Sequence, residues 1–81
     1  MKIAVYSIQQ TLFSGEAEKL ICHTPQGQIT VLDQHIPLIS SLVGPRLEIV
    51  GRNGKINEIP FKGGFLEVRP ASEVVILASD E

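Results

Sequence analysis

The sequence predicts an all-β fold, a two-layer β-sandwich or flattened barrel of about ten short strands in one domain that spans residues 1–81. No stretch of eleven or more residues keeps apolar positions at helical spacing without an interrupting Gly or Pro. The 7 Gly and 5 Pro divide the chain into segments of strand length. A chain of 81 residues builds only one core, so its sheet faces must cover one another in two layers.

The first half of the chain shows the alternation typical of strands that have one buried face. Leu20 and Cys22 point to one face, and Ile21 and His23 point to the other. Cys22 is therefore expected to be a small buried hydrophobe, and His23 an exposed strand residue. A turn at residues 25–27 separates the last two predicted strands of this half. The predicted strands are residues 2–7, 11–16, 20–23 and 29–32.

The second half contains the clearest hairpin, in which residues 46–49 lead into a turn at Gly51–Gly54 and the chain returns through Ile56 and Ile59. We expect the preceding strand to end at Gly44–Pro45. Gly63–Gly64 is interpreted as a tight turn or bulge. The last strand is apolar on both faces, which predicts that it is central or covered. The other predicted strands of this half are residues 38–42, 65–69 and 74–78.

Composition excludes several classes of protein. Hydrophobic residues make up 43% and charged residues 20%, an ordinary balance for a globular protein. The net charge is -2 and the Lys and Arg residues are dispersed, so we expect no nucleic-acid partner. No apolar run approaches the ~20 residues that span a bilayer, which predicts no integral membrane segment. The single cysteine cannot form an internal disulfide.

Residues suited to catalysis or to metal binding are few and scattered. Cys22, His23 and His35 lack the paired spacing of a metal site. Cys22 and His23 point to opposite faces, so they cannot form a nucleophile and base pair. Gly63–Gly64 precedes a strand and not a helix, which removes the helix N-terminus that would hold a phosphate. We therefore expect no enzyme, no metal and no cofactor.

The segment from Asp33 to Leu38 is the most distinctive loop of the sequence. It is polar at its start and leads into an apolar strand. Ile36 precedes Pro37 and is therefore held extended, so the loop is expected to present His35 outward. This pattern leaves two interpretations open, an ordinary strand connection or the recognition loop of a small β-sandwich binding module.

Five motifs together resemble the epsilon subunits of F-type ATP synthases, which are called delta in mitochondria. They agree in order and spacing with the β-sandwich domain of that family over nearly the whole chain. The motifs are Phe13-Ser14-Gly15, Gly27-Gln28-Ile29-Thr30-Val31-Leu32, His35-Ile36-Pro37-Leu38, Gly63-Gly64-Phe65-Leu66-Glu67-Val68 and Val75-Ile76-Leu77-Ala78.

The resemblance implies a two-layer β-sandwich with a role in the central stalk of the synthase. Such a rotor subunit couples the gamma subunit to the membrane c-ring, so that proton or sodium flow drives ATP synthesis, and it has no catalysis of its own. It would lie at the cytoplasmic face of a bacterial membrane, or the organelle equivalent, attached through the complex. The alternative is a free-standing adaptor or ligand-binding module, because fold does not determine function.

This chain departs from the family pattern at two points. This chain carries Asp33-Gln34 where the family commonly has Pro-Gly before the histidine. Many relatives continue into a two-helix segment that binds ATP or inhibits hydrolysis. From these 81 residues we expect no C-terminal helical domain, no ATP binding and no such inhibition.

Position in the family also implies two sets of contact residues. The implied c-ring contacts are Gln28, Asp33, Gln34 and His35, and the implied gamma contacts are Ser7, Ile8, Ser40 and Leu42.

Replacing His35 by Ala is expected to weaken coupling while the isolated domain stays folded. An exposed loop substitution usually changes the free energy of unfolding by less than about 0.5 kcal/mol. Denaturant unfolding of the domain and ATP-driven ion pumping by the assembled complex measure the two effects. An unfolded variant whose residual complex still couples normally would make His35 a structural residue.

Overall fold

The computed structural model describes residues 1–79, and the acidic pair Asp80 and Glu81 of the predicted domain lies outside the described residues. The described part of the chain forms 8 strands, which confirms the all-β prediction with somewhat fewer strands than expected. The strands are β1 (Lys2–Tyr6), β2 (Thr11–Glu16), β3 (Lys19–Thr24), β4 (Gly27–Leu32), β5 (Leu38–Val50), β6 (Ile56–Pro60), β7 (Gly63–Arg69) and β8 (Glu73–Ala78).

The strands pair in the order β2-β1-β8-β7-β5-β3-β4, with β6 added to β5. Every pairing is antiparallel except the one between β1 and β8, which is parallel. This path folds into two layers. The first layer contains β2, β1, β8, β7 and the first half of β5, and the second contains β4, β3, β6 and the second half of β5.

Strand β5 joins the two layers because it is 13 residues long and changes sheets near its middle. Leu38–Val43 pairs with β7, whereas Arg46–Val50 pairs with β6. The buried positions shift from Leu42 to Leu47, an odd number of residues apart, so the inward face changes phase between them. Strands that switch sheets through a bend are a known way to make the corner of a sandwich.

The prediction that this strand ends at Gly44–Pro45 is wrong. The chain bends there through a cis Gly-Pro peptide and continues in the second layer. A Cβ atom on Gly44 would overlap the carbonyl oxygen of Phe61, so the bend needs a residue without a side chain. The Phe61 N–H donates to the Pro45 carbonyl oxygen at 2.9 Å, which ties the end of β6 to the bend.

The core lies between the layers and follows the alternation along each strand. The prediction for β3 is confirmed, because Leu20 and Cys22 are fully buried. Burial raises the pKa of the Cys22 thiol to about 11, which makes it an unreactive packing group. His23 lies on the opposite face as expected, although it is half-buried and not fully exposed. The largest fully buried side chains are Ile3, Leu20, Leu47, Ile49, Leu66 and Ile76.

Gly63–Gly64 is not the tight turn or bulge that the sequence predicts. Both residues lie in β7, and Gly64 pairs with Leu42 on one side and Ala78 on the other. A Cβ on Gly64 would overlap the carbonyl oxygen of Leu77. Glycine is therefore needed for the close approach of two backbones.

Two other predictions about the second half of the chain are confirmed. The hairpin between β5 and β6 pairs Val50 with Ile56 around the turn. In that turn the Gly54 N–H donates to the Gly51 carbonyl oxygen at 3.0 Å. Strand β8 is central, with β1 and β7 as its neighbours.

Replacing Gly44 by Ala is expected to lower the free energy of unfolding by about 1–3 kcal/mol, the usual cost of overpacking. The new Cβ would meet a backbone oxygen, which cannot rotate away. The matched control is Gly15→Ala, whose Cβ would meet the Phe13 ring at 3.6 Å, an ordinary contact. Both changes restrict the unfolded chain equally, so the difference between them in denaturant unfolding reports the bend. Equal stability of the two variants would contradict the argument.

Candidate interaction surfaces

Several connections meet at one end of the sandwich, which we call the loop end. The N-terminus hydrogen-bonds to residues 17 and 33, residue 33 forms an ion pair with residue 52, and residue 34 hydrogen-bonds to residue 72. The loop end comprises Met1, residues 17–18, residues 33–37, residues 51–55 and residues 70–72.

The Met1 ammonium group is buried at the centre of the loop end. It donates to the Asp33 carboxylate at 2.6 Å and to the Ala17 carbonyl oxygen at 2.9 Å. The Asp33 carboxylate also lies 3.8 Å from the Arg52 guanidinium. The hydrogen bond from the ammonium holds the pKa of Asp33 below its usual range; desolvation acts in the opposite direction, and the charges of the ammonium and of Arg52 add to the lowering. Asp33 is therefore a charged anchor of the loop.

Backbone hydrogen bonds fix the rest of the loop. The Gln34 N–H donates to the Ser72 hydroxyl at 3.0 Å, and the His35 N–H donates to the Leu32 carbonyl oxygen at 3.1 Å. Gln34, Ala71 and Ser72 all have left-handed backbone conformations, with φ of 64°, 67° and 56°. Such conformations persist where the surrounding contacts determine them. The two turns therefore hold each other in place.

His35 is half-buried at the edge of an open cavity of about 560 Å³ between residues 34–37 and residues 70–72. Its Nδ1 lies 2.7 Å from the carbonyl oxygen of Ile36. The imidazole ring is thus attached to its own loop on one side, and its other nitrogen remains for an external group.

The structure brings together three of the four predicted ring contacts. Asp33, Gln34 and His35 all lie at the loop end, whereas Gln28 does not. Gln28 pairs with His23 near the start of β4, next to the turn at residues 25–26. Five residues of extended strand separate Gln28 from Asp33, which is about 17 Å. Gln28 therefore lies apart from the loop end, and its contact with the ring stays a prediction.

The predicted gamma contacts do not form one surface either. Ile8 is 88% exposed at the tip of the β1–β2 loop, where the Ser7 hydroxyl accepts from the Gln10 N–H at 3.2 Å. Ser40 is half-buried on β5, and strands β8 and β7 lie between β1 and β5. The prediction that the side chain of Leu42 contacts gamma is wrong, because Leu42 is 3% exposed and belongs to the core. It alternates with outward-facing neighbours on β5, so its side chain cannot contribute to an external contact.

An exposed apolar surface covers the outer side of the first layer. Tyr6 pairs with Leu77 and Leu77 pairs with Phe65, so the three side chains form a row across β1, β8 and β7. Ile39 and Val75 lie on either side of Glu67 in the next row toward the loop end. Together with Phe65 and Leu77 these residues line a groove of about 180 Å³. We call Tyr6, Ile39, Phe65, Val75 and Leu77 the outer apolar face.

The sequence contained one signal for this face, which was the apolar character of β8 on both sides. One side packs in the core, and the other carries Val75 and Leu77 outward. The contributions of Tyr6, Phe65 and Ile39 were missed. They come from three other strands, and only the register between strands brings them together.

The outer side of the second layer is polar in comparison. Glu48 and Glu58 lie opposite each other on β5 and β6, and Arg46 is 3.0 Å from the first and 3.6 Å from the second. Large exposed apolar residues on this side stand apart, with Leu32 on β4 and Ile56 on β6. The two outer surfaces of the sandwich therefore differ in chemistry, and contiguous exposed apolar surface is typical of an interaction site.

Within residues 1–79, His, Cys, Asp and Glu side chains do not gather in groups of three or more that could hold a metal ion. None of the described residues belongs to a helix long and apolar enough to cross a membrane.

Comparison with known families identifies what the chain resembles. The family model for the ATP synthase, Delta/Epsilon chain, beta-sandwich domain matches residues 1–80. The family resemblance carried by the sequence motifs is thereby confirmed.

Individual relatives agree with the family model. The ATP synthase epsilon chain of Chromobacterium violaceum is 35% identical over 80 residues, which cover 96% of this chain and 56% of the relative. The ATP synthase epsilon chain of Mycobacterium avium is 32% identical over 82 residues, which cover 100% of this chain and 68% of the relative. The chain thus spans between about half and two thirds of the length of the curated relatives it matches.

Solved structures share the fold. A chain in the cryo-EM structure of the Euglena gracilis mitochondrial ATP synthase, OSCP/F1/c-ring in rotational state 1, superposes with a TM-score of 0.88 at 22% identity, over 94% of this chain and 48% of that chain. A chain of the Tetrahymena thermophila mitochondrial ATP synthase central stalk/c-ring gives a TM-score of 0.78 at 15% identity, over 99% of this chain and 63% of that chain.

Replacing Asp33 by Asn is expected to lower the melting temperature at neutral pH and to make little difference in acid. The pKa of Asp33 is lower in the folded state than its ordinary value of 3.8, so the folded state holds its proton less tightly than the unfolded state. The resulting stability is present above about pH 4 and is lost as the pH falls through the folded pKa.

Thermal melts of the wild type and Asp33→Asn between about pH 2 and pH 7 measure this effect. Glu18→Gln is the control, because it removes the same charge from a side chain that forms no ion pair within the described residues. A gap between the wild type and Asp33→Asn that stays constant over this range would contradict the stabilising role of the Met1–Asp33 pair.

Proposed function

The chain belongs to the delta/epsilon chain β-sandwich domain family of ATP synthase, and we propose that it is a rotor-stalk subunit that couples gamma to the membrane c-ring. In this role it carries out no reaction and needs no cofactor. It holds two moving parts together, so that proton or sodium flow drives ATP synthesis. The observation that carries this proposal is the presence of two separate candidate contact surfaces on one small family domain.

The outer apolar face is suited to the gamma subunit. Its row of Tyr6, Phe65 and Leu77 is exposed on a sheet that packs tightly on its other side. Ser7 and Ile8 directly follow Tyr6 and extend the same surface at one end. We retain Ser7, Ile8 and Ser40 as proposed gamma contacts, and add the outer apolar face as the main part of the interface. Ser40 alternates with Ile39 along β5, so its contact would be separate from that face. A permanent contact of this kind is typically apolar at its centre.

The loop end is suited to the c-ring. Asp33, Gln34 and His35 present polar groups on a loop that is fixed by the Met1 ammonium and the Ser72 hydroxyl. Polar groups held in place lose less conformational entropy when they bind than flexible ones do. The proposed ring contacts at the loop end are these three residues, and Gln28 would contact the ring from a separate position.

The positions of the two surfaces allow both partners to bind at once. The outer apolar face is the side of a sheet, whereas the loop end lies at the ends of its strands. The two surfaces are therefore roughly perpendicular on a domain of 30 × 23 × 20 Å. A force applied at one surface reaches the other through hydrogen-bonded strands, which deform little. This arrangement suits a mechanical connector at the cytoplasmic face of a bacterial membrane, attached through the complex.

Replacing Leu77 by Asp is expected to weaken binding to gamma by about 30-fold or more, the effect of losing one interface hot spot of ~2 kcal/mol. The matched control is Ile56→Asp on the other layer, because Leu77 is 55% exposed and Ile56 is 56% exposed. Both changes introduce the same charge at strand positions of equal exposure. Calorimetric titration with the gamma subunit of the same synthase measures the two affinities.

Three outcomes of this titration separate the hypotheses. Selective loss in Leu77→Asp supports the gamma interface on the outer apolar face. Equal affinity of the two variants and the wild type for gamma would show that the gamma interface lies outside the outer apolar face. No binding of the wild type at micromolar concentrations would favour the alternative, a free-standing adaptor or ligand-binding module.

A further inference from the structure

The hydrogen bond between His35 and its own loop determines which imidazole nitrogen carries the proton. Nδ1 lies 2.7 Å from the Ile36 carbonyl oxygen, and a carbonyl oxygen can only accept. Nδ1 must therefore be the donor. A neutral imidazole has one protonated nitrogen, so Nε2 carries a lone pair and is a hydrogen-bond acceptor.

The Nε2 acceptor has no internal partner. Within residues 1–79, the only hydrogen bond of the His35 side chain is the one from Nδ1. The surrounding cavity is lined by Pro37, Pro70 and Ala71, which have no side-chain donors, and by Gln34 and Ser72, which have them. The Ser72 hydroxyl accepts from the Gln34 N–H, and neither side chain forms a hydrogen bond with Nε2 in the described part of the chain. In this arrangement Nε2 is open to water or to a group from outside the chain.

The imidazole ring is also held in place before any partner arrives. The Met1 ammonium binds Asp33, two positions earlier, and the His35 N–H donates to the Leu32 carbonyl oxygen at 3.1 Å. The bond from Nδ1 restricts rotation of the imidazole ring. A fixed acceptor selects partners by direction as well as by chemistry, because its lone pair lies in the ring plane.

We propose that His35 recognises an N–H donor through Nε2, and that this donor lies on the polar loop of the membrane ring that faces the loop end. The identity of the partner rests on the proposed function, whereas the tautomer rests on the contact with Ile36 alone. His35 then has two roles on its two nitrogens. Nδ1 positions the loop and Nε2 makes the external contact. A ring group that offers only acceptor oxygens does not fit the neutral side chain.

Two substitutions separate the roles of the two nitrogens. In His35→Asn the side-chain amide reaches the position of Nδ1, so the bond to Ile36 is kept and the outer acceptor is lost. In His35→Gln the longer side chain reaches the position of Nε2, so an outer acceptor is kept and the inner bond is lost. The two amides are otherwise matched in charge and polarity.

Binding of the chain to the detergent-solubilised c-ring of the same synthase is the first measurement. We expect His35→Asn to bind about fivefold to tenfold more weakly than the wild type, the effect of one lost hydrogen bond. His35→Gln is expected to bind within about threefold of the wild type. Normal ring binding by His35→Asn together with loss of ring binding by His35→Gln would show that His35 only positions the loop, and would overturn the proposal. Equal binding of all three proteins would overturn it as well.

The tautomer is tested independently by long-range nitrogen–proton NMR correlations of the imidazole at neutral pH. We expect a protonated Nδ1 and an unprotonated Nε2 in the free chain, and a change confined mainly to Nε2 when the ring is added. An Nε2-protonated tautomer would overturn the proposal regardless of the binding data. Failure of the wild type to bind the ring would instead contradict both the proposed function and the proposed ring donor, even if the NMR assignment were as expected.

Discussion

Strand β5 supports both layers of the sandwich, and the rest of the structure depends on this sharing. Its first half pairs with β7 and its second half with β3 and β6. The change of layer requires close contact between Gly44 and the Phe61 carbonyl group, where even a methyl group would not fit. Because one continuous strand belongs to both sheets, the layers cannot slide past each other without breaking its hydrogen bonds. The core side chains are consequently held in one register.

That constraint also determines which surfaces are available to partners. The inner sides of both layers pack in the core, so contacts with partners must be made from the outer sides or from the strand ends. The outer side of the first layer carries Tyr6, Phe65 and Leu77 in a row, and the second carries the Glu48–Arg46–Glu58 cluster. This asymmetry gives the domain one apolar and one polar side. A small domain with such sides is suited to a fixed orientation within a larger assembly.

The loop end adds an electrostatic element to this architecture. The Met1 ammonium is buried against Asp33 and Ala17, and Arg52 approaches the same carboxylate. Removing a charge from water is unfavourable unless hydrogen bonds and an opposite charge compensate it, and both are present here. The pair connects the start of the chain to the loop that carries His35. The geometry of that loop therefore depends on residues distant from it in sequence.

Local patterns in the sequence determined the all-β class, most strand positions, the β5–β6 hairpin and the burial of Leu20 and Cys22, because alternation and turn chemistry act between near neighbours. The family motifs likewise require only order and spacing along the chain. Tertiary structure decided that Leu42 is buried, that Asp33 meets the Met1 ammonium, and that Tyr6 stands beside Leu77. These facts depend on the register between distant strands and on the change of layer within β5, and local patterns do not specify either of them.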